Sequence, residues 1–328
     1  MIAVLRLAAL SAWSRRLTLG LTLVAIALAT TLLLSVERLR VDARQSFSQA
    51  VSGVDLVVGS RGSSVQLVLH AIFHSGSAAA NIGWESYSAL ASHPAVDWAL
   101  PLALGDSHRG HAVLGTRADY FSRLRHGDNE SLRFREGRAF AALFETVIGS
   151  EVASRLGYRV GDRITLSHGM SELGPEHGDK PFTVVGILAA TCTPTDRTLH
   201  VGLEAIAALH LDWVAGAPIP GLAIPAEHVT RFDLQPKEIT AALLGLKQRN
   251  DVFRMQRFVN QYRGEPLSAV LPGVALDELW QTLAVFERSL LTVSALVVLT
   301  GLAGLAATLL AGLNERRREL AILRALGA

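Results

Sequence analysis

The sequence predicts a membrane protein: α-helical spans with an α+β extracytoplasmic domain inserted between span 1 and span 2. Three observations lead there. First, Leu17–Val36 and Ser289–Leu313 hold 20 and 25 residues without a charge. A helix rises about 1.5 Å per residue, so roughly 20 residues cover the roughly 30 Å hydrocarbon core of a bilayer. Second, arginines flank the outer ends of both runs: Arg6, Arg15 and Arg16 before the first, and Arg316, Arg317, Arg318 and Arg324 after the second. Positive residues stay on the cytoplasmic side. Both ends therefore read as cytoplasmic, with residues 37–288 across the membrane. Third, the long middle alternates strand-like and helix-like runs between turns.

Residues 1–16 form a cytoplasmic amphipathic lead, with Leu5, Leu7, Leu10 and Trp13 set against the arginines. Residues 17–36 are transmembrane helix 1. A cleaved signal would have an apolar core of about 7–15 residues and a small-x-small cleavage site. This run is longer and passes directly into Glu37, Arg38 and Arg40. Val36, Leu39, Ala43, Phe47 and Ala50 then recur at helical spacing, so the helix continues as a stalk over 37–52 and stops at Gly53.

Residues 53–276 read as an α/β core domain. Strands are expected at Val54–Gly59 and Phe182–Leu188, and on both sides of a helix that starts near Ser150. Helices are also expected at Ser86–Pro94, Leu203–Leu209 and Pro236–Arg249, with proline allowed at a helix start. A hairpin is expected with Gly105–Gly110 as its turn, and loops at Ser167–Pro181 and Gly216–Pro225. Asp277 is a suitable N-cap for a second stalk, 277–288, leading into transmembrane helix 2, 289–313. Leu279, Leu283, Phe286, Leu290, Val293 and Val297 form an apolar seam along it. The seam would pack against the first stalk or against another subunit. Gly304, Thr308 and Gly312 add a small-residue stripe that permits close helix contact.

Half of the residues are hydrophobic, only 18% are charged, and the net charge is +2. Nothing marks a nucleic-acid binder. The one cysteine, Cys192, has no partner for an internal disulfide, so the domain must hold by packing, for which it is large enough. There is no G-x-x-x-x-G-K-[ST], H-E-x-x-H, C-x-x-C or G-x-S-x-G. Hence no catalytic residue and no cofactor is assigned to this chain. The histidines are the best candidates for chemistry. His70 and His74 would share a helical face, and His108 and His111 flank a turn. His168, His177 and Asp179 share one polar loop, and imidazole with carboxylate suits zinc. Eleven histidines also place neighbours together by chance, so solvated or structural histidines are the competing reading.

The stretch from Asn314 to Ala328, NERRRELAILRALGA, resembles the signature of FtsX/MacB-type ABC transporter permeases, E-R-x-x-E-[IL]-[AG]-[IL]-[LM]-[RK]-A-[LI]-G-A. Glu315, Arg316, Glu319, Leu320, Ala321, Ile322, Leu323, Arg324, Ala325, Leu326, Gly327 and Ala328 match it. Val113–Phe121, Arg135–Phe140 and Ile148–Ile164 resemble the MacB-like periplasmic core domain of that family. The resemblance implies a permease subunit in the bacterial cytoplasmic (inner) membrane. It would pair with a second permease subunit, the same or different, and dock on a separate P-loop ABC ATPase that uses ATP and Mg. ATP hydrolysis there would move the extracytoplasmic domain, which is called mechanotransmission. The work done would be export or extraction of a lipid, lipoprotein, peptide or drug, or control of a periplasmic partner. Residues 314–328 would couple to the ATPase through Glu315, Arg316, Glu319, Leu320, Ile322, Leu323, Arg324, Leu326 and Gly327. The family pattern has two further spans after this point, so the sequence is expected to be truncated after the second span. The alternative is a membrane-anchored binding module without a transport role, with zinc as its candidate ligand.

Overall fold

The computed structural model describes residues 13, 16–50, 52–169, 174–214, 217–219 and 224–325. The chain divides into two compact units. One is helical and comprises the residues up to Arg44 and those from Trp280 onward; the other is Gln45–Leu279.

The helical unit draws on two helices, Arg16–Ala50 and Pro272–Ala325. Leu17, Leu21, Leu28 and Leu32 on the first, and Leu296, Leu299 and Leu302 on the second, are exposed. The contact side is made of smaller residues. Ala29 and Ser294 are buried, and a Cβ on Gly301 would sit 3.1 Å from Ile26 Cγ1. Among the described residues, Pro272–Gly312 is long and apolar enough to cross a membrane, with a mean hydropathy of 2.2 in its most apolar window. The last helix begins at Pro272, not at Asp277. Proline needs no N–H partner in a first turn, so it serves as the start itself.

The mixed unit is built on one large sheet. Its main strands are β1 (Leu56–Ser60), β2 (Val96–His108), β3 (His111–Thr116), β4 (Phe134–Gly137), β5 (Glu145–Ile148), β6 (Phe182–Leu188), β7 (Leu199–Gly202), β8 (Ala241–Leu246) and β9 (Leu267–Val270), and two short strands, Arg163–Ile164 and Ser167–His168, pair with β6 and β2. The main strands lie in the order β9-β1-β8-β2-β3-β7-β5-β6-β4. The β3–β7 and β5–β6 pairs are parallel. A crossover helix, Ser150–Leu156, lies between β5 and β6 in the chain, because a parallel pair needs a long return path. Two apolar clusters form the core of the mixed unit. One gathers Leu56, Val58, Leu90, Leu244 and Met255; the other gathers Ile148, Val152, Phe182, Leu199 and Leu209.

Three local expectations are corrected. Pro236–Arg249 is not a helix: Ala241–Leu246 is strand β8, paired with β1 and β2. Alanine and leucine favour helix in isolation. Here they are buried on both faces between two strands, and that tertiary burial outweighs the propensity. At Gly245 a Cβ would meet Trp98 Nε1 at 2.1 Å, so the Trp98 ring packs against this strand only where it carries no side chain. The hairpin turn is not six residues long. Strand β2 runs to His108, and Arg109 (φ +47°) with Gly110 (φ +80°) makes the turn alone, as a two-residue loop with both φ values positive does. His70 and His74 do not share a helical face. The helix Ser64–Ala71 ends before His74, which has φ +51°.

Candidate functional site

The structure brings His168 and His177 together, with two residues from elsewhere in the chain: Asp106 and His210. Each offers one ligand atom, and the four atoms all lie within 4.8 Å of one another. Asp179 is not in the group. Its carboxylate takes the Lys180 ammonium at 2.8 Å instead.

Each member is placed by a different local device. Asp106 sits on β2 next to a bulge at Gly105, where the β2–β3 register shifts between Leu104 and Asp106. A bulge inserts one residue and re-aims the side chains beside it. Ser167–His168 then pairs antiparallel with β2, setting His168 directly opposite Asp106. The segment is tied down by Gly169 N–H donating to Gly105 O at 2.8 Å and by Ser107 Oγ–H donating to Gly169 O at 2.5 Å. His177 is held by its own N–H, which donates to Leu166 O at 2.8 Å. His210 ends the helix Leu203–Leu209, and its Nδ1–H donates to Ile206 O at 2.9 Å.

His168 Nδ1 lies 3.1 Å from Asp106 Oδ1 and 3.0 Å from His210 Nε2, and His210 Nε2 lies 3.5 Å from Asp106 Oδ1. Trp213 closes one side, its ring 4.1 Å from that of His177 and 5.5 Å from that of His168. Asp106, His168, His210 and Trp213 line a cleft of ≈ 580 Å³ that also reaches Asp233, Lys237 and Glu238. His177 lies behind them and is 0% exposed.

The charges are assigned by environment. Burial would raise the Asp106 pKa, but hydrogen bonds from His168 and His210 outweigh it and bring it to about 2. Burial lowers His177 to about 4, so it is neutral at pH 7. Burial would also lower His210, yet its contact with Asp106 leaves the value raised. Beside the group, Lys180 is fully buried, and its ammonium meets Asp212 Oδ1 and Oδ2 at 3.0 and 3.1 Å. Two carboxylates thus match Lys180 and leave Asp106 as the anion of the histidine group.

The other predicted positions fall elsewhere. Leu283, Phe286, Leu290, Val293 and Val297 of the seam are exposed and Leu279 is half-buried. Ser294, four residues past Leu290, is buried instead. Of the coupling residues, Ile322 and Arg324 are exposed on the last helix. Glu315, Arg316, Glu319, Leu320 and Leu323 are described only as helix backbone, and Leu326 and Gly327 lie outside the described residues. The sequence does not mark Asp106 or His210: each is remote in the chain from His168, and neither sits in a recognisable motif.

The sequence family described as MacB-like periplasmic core domain matches residues 19–210, more than half of the chain. No curated protein matches the sequence. The periplasmic region of MacB from Actinobacillus actinomycetemcomitans is similar at a TM-score of 0.39 and 11% identity, over 73% of this chain and 97% of that one. The extracellular domain of the noncanonic ABC-type transporter YknZ from Gram-positive bacteria is similar at 0.36 and 12% identity, over 66% of this chain and 98% of that one. At those scores the overlaps carry no argument, and the family rests on the match over 19–210.

Proposed function

Because the chain belongs to the MacB-like periplasmic core domain family, we propose that it is a permease-type subunit of an ABC transporter whose mixed unit lies outside the cytoplasm and is moved by a separate ATPase. The family match is the observation that carries this reading. The helices support it. Pro272–Gly312 is long and apolar enough for a span, and exposed leucines on Arg16–Ala50 suit a second one. Both termini are then cytoplasmic, by the positive-inside rule.

In this reading ATP is hydrolysed in the partner and not in this chain. The last helix is 54 residues long, about 80 Å at 1.5 Å per residue. That exceeds the thickness of a bilayer, so one unbroken element can start outside the membrane and end at the ATPase. Ile322 and Arg324, an apolar and a charged side chain exposed near its end, suit the rim of a partner groove.

The test is recovery of the partner. The tagged chain, extracted in detergent, should retain an ABC ATPase. Ile322→Asp with Arg324→Glu should reduce that recovery about tenfold or more, as loss of an interface anchor does. Equal recovery with the double variant, or no ATPase with any form, would sink the proposal.

A further inference from the structure

We propose that Asp106, His168, His177 and His210 bind one zinc ion, at a site that none of the transporter functions above requires. It is independent of ATPase coupling, because metal binding is read on this chain alone.

Geometry is the first argument. Zinc takes four ligands tetrahedrally, at about 2.0–2.1 Å for imidazole nitrogen and about 2.0–2.2 Å for carboxylate oxygen. The ligand atoms of such a site are then about 3.3 Å apart along each tetrahedral edge. His168 Nδ1, His210 Nε2 and Asp106 Oδ1 are separated by 3.0, 3.1 and 3.5 Å. They already stand at the corners of one face, and His177 offers a fourth ligand atom within 4.8 Å of the other three.

The second argument is unmet bonding. His177 is 0% exposed, and neither Nδ1 nor Nε2 has a hydrogen-bond partner. A buried polar atom without a partner is costly, and a metal ion would take the lone pair of one of the two ring nitrogens. The third is tautomer control. His210 Nδ1–H is committed to Ile206 O, so Nε2 is the nitrogen that faces the group and would take the ion in place of its proton. A backbone carbonyl on the far nitrogen is the usual support of a metal-bound histidine. Three imidazoles and one carboxylate suit a borderline-soft divalent ion better than calcium or magnesium, which prefer all-oxygen sites.

Position sets how the ion behaves. Three of the four residues line the open cleft, so the ion exchanges with solution. Once bound, it ties β2, His168, His177 and the end of the Leu203–Leu209 helix to one another.

The chain, purified in detergent and stripped with a chelator, would be titrated with zinc against a chromophoric competitor. One ion per chain should bind. Cobalt should give the visible absorption of a tetrahedral site. His210→Ala and His168→Ala should each weaken zinc about 100-fold or more, beyond what loss of a supporting contact alone costs. His168 carries the test if His177→Ala does not fold, since its side chain is 32% exposed. Asp179→Asn should leave affinity unchanged. No binding at micromolar zinc, an octahedral cobalt spectrum, or undiminished binding in His168→Ala/His210→Ala would each overturn the site.

Discussion

Among the described residues of the mixed unit, two groups of three histidines cluster, and the two behave differently. In the first, His168, His177 and His210 converge on Asp106. In the second, His74 interacts with His70 and His200, and its Nδ1 lies 2.8 Å from Thr198 Oγ1. Both ring nitrogens of His70 and Nε2 of His200 lack hydrogen-bond partners. Burial drives His74 to about 3 and His200 to about 4, and it lowers His70 as well. Burial alone therefore makes neutral, packing histidines, as His200 is between Tyr120 and Phe121 at 5.2 and 5.6 Å. A buried carboxylate at the focus makes the other group a receptor for a cation.

The largest expected effect separates the two groups by thermal unfolding. Zinc at about 1,000 times its Kd should stabilise the folded chain by about 4 kcal/mol. For a unit of this size that raises Tm by about 8–16 °C. His168→Ala should abolish the shift and His70→Ala should keep it. A shift that survives His168→Ala, or follows His70, breaks the comparison.

Truncating the packing histidine comes next. His200→Ala opens a cavity among aromatic rings and should cost about 2–4 kcal/mol in denaturant unfolding. Zinc affinity should stay within about twofold, because distant sites act independently. A smaller effect follows from pH. His74, His177 and His200 have folded pKa values below the ordinary 6.5. The unfolded chain therefore binds protons first. The stability these residues carry is complete above pH 6.5 and is lost as the pH falls. Between pH 6.5 and 5.5 the metal-free chain should lose about 1–3 kcal/mol. His210, whose value is raised by Asp106, acts in the opposite direction, so the profile is read in His210→Ala, where a flat line would mean that these histidines are not buried in solution.

The smallest effect sharpens the boundary of the site. Asp179→Asn should cost about 1 kcal/mol or less, since Asp179 is 45% exposed and Lys180 keeps both oxygens of Asp212. Zinc affinity should not change. A large loss of zinc would return Asp179 to the ligand set.

Much of the architecture is legible in the sequence because its signals are local. Phe182–Leu188 and Leu203–Leu209 are unbroken apolar or helical runs, and the structure has a strand and a helix over those same residues. His168 and His177 lie near one another in the chain, so their loop could be singled out. Asp179 shares that loop with them, whereas Asp106 lies 62 residues before His168 in the chain, and proximity in sequence favours the wrong acid.

The sequence by itself determined where the long charge-free runs lie, that a mixed α/β segment stands between them, and which loop holds two of the histidines. All of these follow from periodicity and composition over short windows. Only the tertiary structure decided that Ala241–Leu246 is a strand, because its partners β1 and β2 come from far along the chain. Only it decided that Asp106 and His210 complete the histidine group. A bulge in one strand and the end of a distant helix bring them there, and nothing in the neighbourhood of either residue encodes the other.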